Sequence, residues 1–258
     1  MSPRSYGDYL KLPQLLSSQS PITDEHDEMQ FIVVHQIFEL WFSLILFEMK
    51  AIFSSLEQGE VRSATRTLKR IDKITAIFPH YLQVLGTMRP QDFHLFRGAL
   101  EGASGLQSEQ FREVELVSGL GEESAYVEGL RKSGHWTEKL EKRLPEDSLR
   151  VATRRLIERE GVSLEEIYAH PDDHVETHDF LEACLDYDER MQEWRAAHLR
   201  LAERMIGSGA LGTGGMGAPY LRGTMRFRFF PDLWKVRDQV TVSGGGKLAG
   251  PASGGEKR

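Results

Sequence analysis

Apolar positions recur at helical spacing from Met29 through Ile32, Val33, Leu40, Leu44 and Phe47 to Ile52. Thr23-Asp24-Glu25 supplies a capping residue and early acids ahead of them, and the run ends near Gly59. The pattern predicts one helix of more than thirty residues. Its middle is apolar nearly all round, so it belongs inside a bundle, packed on several sides. A second helix is predicted over residues 60–85 through Leu68, Ile71, Ile74 and Ile77, with Pro79 kinking it. Shorter helices follow around 90–100 and 107–117, separated by the turn Glu101-Gly102-Ala103-Ser104-Gly105. Residues 122–160 are strongly charged, have weaker periodicity and read as surface helices. Over 174–206 the pattern predicts another long helix, closed by Gly207. Nothing reads as a strand-rich domain and no repeat appears. The fold class is therefore all-α, a helical bundle with long core helices forming one domain over residues 1–242. Residues 243–258, rich in glycine, serine and lysine, are expected to be a disordered tail.

Composition narrows the classes. Hydrophobic residues make up 40% and charged residues 28%, an ordinary globular balance. The net charge of -7, with basic residues spread through the chain, argues against nucleic acid as a partner. A single cysteine, Cys184, excludes an internal disulfide and a thiolate-rich metal or iron–sulfur site, and fits a reducing cytoplasm. Its neighbours lack the basic groups that favour a thiolate, so it reads as a buried structural cysteine. Residues 1–6 lack the apolar core of a secretory signal. The apolar region 31–53 is interrupted by His35, Gln36, Glu39, Glu48 and Lys50, which predicts a buried helix and no membrane span.

Candidate chemistry sits at both ends of the chain. His198 lies late in the last long helix, just before the glycine-rich loop 207–217. One imidazole on a helix, with a backbone able to approach a flat cofactor beside it, suits a haem-iron ligand and a substrate clamp. The loop lacks the Gly-Lys-Ser/Thr ending of a phosphate loop. It is either a flexible connection or a loop folding over a ligand, with Thr213 offering a hydroxyl. His35 shares a helix face with Phe31 and Glu39. It is either a core histidine satisfied by Glu39 or a polar group facing an apolar pocket, suited to accept or orient a proton. Arg97 follows Phe93 at the same spacing. It is either a surface arginine or a carboxylate anchor, its planar fork covered by that ring. His170, His174 and His178 form a competing metal-like cluster, but Pro171 breaks the helix such a cluster needs, so a solvated acidic helix start is the better reading.

Together these segments resemble the tryptophan 2,3-dioxygenase family. The matching pieces are Tyr6-Gly7-Asp8-Tyr9-Leu10, His26-Asp27-Glu28, residues 31–41, residues 93–97, Ala103-Ser104-Gly105, residues 194–198, residues 212–215 and Phe230-Pro231-Asp232-Leu233. The resemblance implies an all-helical fold enclosing a b-type haem, and a homotetramer. It implies that His198 is the axial iron ligand, His35 the distal histidine that meets the indole N–H, and Arg97 the carboxylate anchor. Thr213 would contact the amino-acid end, Phe31 and Phe93 would wall the pocket, and Ser104 with Ala103 would lie at the haem edge. Tyr6 and Tyr9 would reach the pocket of a neighbouring subunit. The implied reaction inserts O2 across the indole C2–C3 bond of L-tryptophan to give N-formylkynurenine. Departures cluster near the substrate clamp. Ile37-Phe38 replaces a small polar pair, Leu106 to Gln110 departs from Phe-Gln-Ser-Leu-Gln, one extra residue stands near Leu211, and Met216 replaces a serine. A second reading therefore has the chain monooxygenate a tryptophan derivative, such as a β-substituted tryptophan, to a 2-oxindole or hydroxylated product in secondary metabolism. A third, a non-catalytic haem sensor, gives no reason for His35 and Arg97 to accompany His198.

Overall fold

The longest apolar run folds as one helix of 32 residues, and the second long pattern gives another of the same length. A computed structural model of the chain describes residues 5–100, 105–144, 147–212 and 216–244. Along it run α1 (Tyr6–Leu10), α2 (Leu12–Leu15), α3 (His26–Glu57), α4 (Val61–Ala76), α5 (Phe78–Leu85), α6 (Pro90–Arg97) and α7 (Glu109–Ser118). Then come α8 (Ser124–Lys132), α9 (Glu138–Arg143), α10 (Leu149–Glu160), α11 (Leu164–Ala169), α12 (Val175–Ile206), α13 (Ala218–Thr224) and α14 (Pro231–Ser243). Among the described residues no strand forms, and one isolated bridge joins Leu211 to Gly217. The all-α reading holds. The tail expected to be disordered falls almost wholly outside the described residues.

Two boundaries differ from the pattern. The helix predicted over 60–85 divides at Ile77, because Pro79 has no N–H to continue the ladder and instead occupies the first turn of α5. The charged middle is more than surface. Tyr126, Val127 and Leu130 of α8 and Leu149, Thr153 and Leu156 of α10 are buried. Arg150 is buried beside them, and a charged residue on an inward face erases the periodicity that would have revealed it.

The helices group into two compact units, each assembled from separated stretches. The first draws on Met1–Leu44, Ile74–Arg112 and Gln192–Arg226. Its core is aromatic: Phe38 meets Phe78 at 5.2 Å, Phe42 meets Phe111 at 5.2 Å, and Phe111 meets Trp194 at 4.8 Å. Such ring pairs add about 0.5–1.5 kcal/mol each beyond their burial. The second unit draws on Ile45–Lys73, Glu113–Met191 and Phe227–Arg258. There Asp188, wholly buried, accepts from the Phe229 and Phe230 amides and from Trp234 Nε1, which fixes the start of α14. Arg150 donates to the Arg228 and Phe229 carbonyls from the other side. Gly119, at φ 140°, passes so close that a Cβ would lie 2.9 Å from the Phe229 oxygen. Only glycine suits that backbone.

By length and composition α3 is the one described helix able to cross a membrane. Its polar residues are nevertheless tied to protein partners. Gln36 accepts from Gln19 and donates to the Ser18 carbonyl, Glu39 accepts from Gln110, and Glu48 pairs with Arg70 at 2.6 Å. Within this chain the helix is not packed on several sides as its pattern predicts, since Leu40 and Phe47 stand exposed.

Two competing sequence features dissolve. His170 lies 3.6 Å from Glu166, His174 lies 3.2 Å from Glu160, and the His178 ring packs on Tyr168. Among the described residues no group of histidines, cysteine and carboxylates is arranged to hold a metal ion. Cys184 is fully buried 3.8 Å from the Thr153 hydroxyl, and burial pushes its thiol up. It is inert.

Candidate active site

The first unit is organised by one repeated device: an aromatic ring one helical turn before a polar or charged group. Residues four apart on a helix share a face, so each ring packs beside the group it precedes. On α3 the pair is Phe31 and His35, with ring centroids 4.0 Å apart. On α6 it is Phe93 and Arg97, with the guanidinium carbon 6.0 Å from the ring centre. On α12 it is Trp194 and His198, with centroids 5.6 Å apart and planes inclined by 27°.

Phe31 joins the first two pairs. Its ring lies 6.0 Å from Phe93 and 5.7 Å from Phe96, while Phe93 and Phe96 meet edge to face at 5.5 Å. Phe96 is fully buried and anchors this wall. His35 and Arg97 are thus attached to one sheet of phenylalanine rings.

The His35 tautomer follows from its neighbours. Nδ1 lies 2.7 Å from the Phe31 carbonyl oxygen, which can only accept, so Nδ1 carries the proton. In the neutral ring Nε2 is then an acceptor. Burial lowers the His35 pKa, against the Phe31 carbonyl and Glu39, which act to raise it. The neutral ring is therefore favoured at neutral pH. Of the two alternatives for His35, the pairing with Glu39 is not made: Glu39 accepts from Gln110 at 2.8 Å.

His198 is held neutral more strongly. Burial is the first cause, followed by repulsion of its imidazolium form from a protonated His35 and from Arg112, and together they bring its pKa down to about 4. Among the described residues no hydrogen bond reaches either of its ring nitrogens.

Arg97 donates to the Leu211 carbonyl, tying α6 to the base of the glycine-rich loop. The loop closes on itself through the Leu211–Gly217 bridge and a hydrogen bond from the Gly212 amide to the Met216 carbonyl. A Cβ on Gly212 would strike the Met216 oxygen, and one on Gly217 the Ala210 oxygen. These two glycines are required by close backbone approach.

Other expected residues fall elsewhere. Tyr6 and Tyr9 stand 76% and 69% exposed on α1, with no hydrogen-bond partner for either hydroxyl among the described residues. Thr213, Ser104 and Ala103 lie outside the described residues. Trp194 and Arg112 went unassigned from the sequence. The signal for Trp194 was present, because it precedes His198 by the same four residues that separate Phe31 from His35 and Phe93 from Arg97.

Comparison with known proteins decides what this constellation belongs to. The family model described as tryptophan 2,3-dioxygenase matches residues 1–159 and 135–240. The chain belongs to the tryptophan 2,3-dioxygenase family. A tryptophan 2,3-dioxygenase from Bacillus thuringiensis subsp. konkukian is 34% identical, covering 92% of each chain. Another from Pseudomonas fluorescens is 34% identical over 92% of this chain and 91% of its own. A third, from Anaeromyxobacter sp., is 37% identical over 90% of this chain and 95% of its own. Membership in this family of oxygenases fits a site in which an imidazole, His35, and a guanidinium, Arg97, flank one wall of phenylalanine rings.

Proposed function

We propose that this chain is a haem-dependent dioxygenase that converts L-tryptophan and O2 to N-formylkynurenine. The observation that carries the reading is the shared phenylalanine wall, which joins an imidazole acceptor, His35, to an anion anchor, Arg97. Those answer two of the three polar groups of tryptophan, the indole N–H and the carboxylate, and leave its α-ammonium to other groups. The remainder of its side chain is flat and apolar, matched by Phe31 and Phe93.

The residues fit a haem b. His198 presents a neutral imidazole with no hydrogen bond on either nitrogen among the described residues, the protonation state an iron ligand requires. When bound, the haem supplies the iron chemistry that activates dioxygen. The chain supplies the rest. His35 Nε2 accepts the indole N–H and so fixes the ring's orientation. Arg97 turns from the Leu211 carbonyl to the substrate carboxylate, gaining a charge-assisted, two-pronged contact in place of a neutral one. The aromatic wall excludes water and holds the indole for reaction. Thr213 at the amino-acid end, and Ser104 and Ala103 at the haem edge, complete the site on the resemblance alone.

Assembly as a homotetramer is part of the proposal. Tyr6 and Tyr9 on the exposed arm, and Val33 and Leu40 exposed on α3, are the kind of apolar surface a neighbouring subunit covers. We place the enzyme in the cytoplasm.

The test is the pH profile of kcat/KM for N-formylkynurenine formation by reduced, haem-loaded protein. His35 must be unprotonated to accept the indole N–H, and burial lowers its pKa. Activity is therefore expected to stay level on acidification through the ordinary histidine range near ~6.5. It should fall only below that, as Nε2 takes a proton. Loss centred at or above the ordinary value, or no product at any pH, would contradict the reading.

A further inference from the structure

Histidines that ligate metals almost always donate their second ring nitrogen to a carboxylate, carbonyl or water, which fixes the ring plane. His198 departs from that pattern among the described residues. No hydrogen bond reaches its ring, and the titratable groups that act on it are His35, neutral at neutral pH, and the cationic Arg112. The group against its face is Trp194, near-parallel at 27°. Trp194 is itself immobilised, 8% exposed, between Phe38 at 6.2 Å, Phe78 at 6.1 Å and Phe111 at 4.8 Å. Its Nε1 is buried without a partner, so the indole makes no hydrogen bond that the packing must respect.

We infer that Trp194 is the positioning residue for the axial histidine: its ring, wedged among three phenylalanines, sets the plane of the His198 imidazole in place of a hydrogen-bonded carboxylate or carbonyl. The inference rests on the haem reading above. Its consequence is a ligand held by shape. No anionic partner pulls on the imidazole proton, so the ring remains a neutral, weakly donating ligand.

The unpartnered Nε1 makes the test clean. Trp194→Phe keeps a ring in place and removes no hydrogen bond, whereas Trp194→Ala removes the ring. Trp194→Leu removes the ring and keeps much of the buried volume, which guards against loss of folding. Each variant is reconstituted with haem, and two quantities are read: the ferrous iron–histidine stretching band by resonance Raman, and the rate of haem transfer to an acceptor apoprotein. Trp194→Phe should keep the wild-type band and rate. Trp194→Leu and Trp194→Ala should shift or broaden the band and release haem about tenfold faster, within the range that outer-shell changes around metal ligands produce. Wild-type band and rate in both ringless variants would overturn the inference. So would a Trp194→Phe protein that behaves like them, since the N–H would then be responsible. A wild-type protein that binds haem without any iron–histidine band would instead overturn the haem reading itself.

Discussion

His198→Ala is expected to lose the histidine-ligated haem spectrum, with haem retention falling by more than the ~10–100-fold that outer-shell changes around a ligand cost. The same substitution has an effect measurable without haem. In the folded apo-protein His198 has a pKa of about 4, against ~6.5 in the unfolded chain. Between those values the unfolded chain binds the extra proton, so apo-protein stability is full above the unfolded value and is lost as pH falls through the window. The alanine variant should flatten that part of the stability profile, read from denaturant midpoints at successive pH values. Unchanged haem content and an unchanged apo profile would together remove His198 from the site.

The second large effect is at Arg97. Truncating one member of a buried, hydrogen-bonded charge pair costs about 2–5 kcal/mol, so Arg97→Leu should weaken L-tryptophan binding by roughly two orders of magnitude or more. Free indole, which has no carboxylate, should bind nearly as before. Arg97→Lys keeps the charge and loses the fork, so it should fall between the two. The contact from Arg97 to the Leu211 carbonyl gives the variant a second consequence, a loop base released from α6. Equal losses for tryptophan and indole would assign Arg97 to loop structure and deny it the carboxylate.

Much of this was legible before any coordinates. The two 32-residue helices follow from apolar spacing and from their stops at Gly59 and Gly207, and His35, Arg97 and His198 stood out as polar groups in apolar company. What the sequence concealed has physical causes. His35 looked satisfied by Glu39 because helical neighbours are the only partners a linear reading offers. Its real partner is a main-chain carbonyl, and Glu39 is claimed by Gln110, 71 residues away. The inward face of α10 was hidden by buried polar residues, Arg150 and Thr153, whose hydrogen bonds substitute for hydrophobicity. Trp194 was hidden for the opposite reason. A large apolar residue on a core helix already has a sufficient explanation, and only its parallel ring against His198 gives it a second one.

The site's departures from the family pattern are also clearer. Phe38, in place of a small polar residue, is buried against Phe42, Phe78 and Trp194. It extends the aromatic core around Trp194, and none of its ring contacts is with Phe31 or Phe93.

The most direct test of the central claim is the mass of the product formed from L-tryptophan and isotopically labelled oxygen by reduced, haem-loaded protein. The account predicts N-formylkynurenine carrying two labelled atoms. A product carrying one labelled atom, or none, would contradict it.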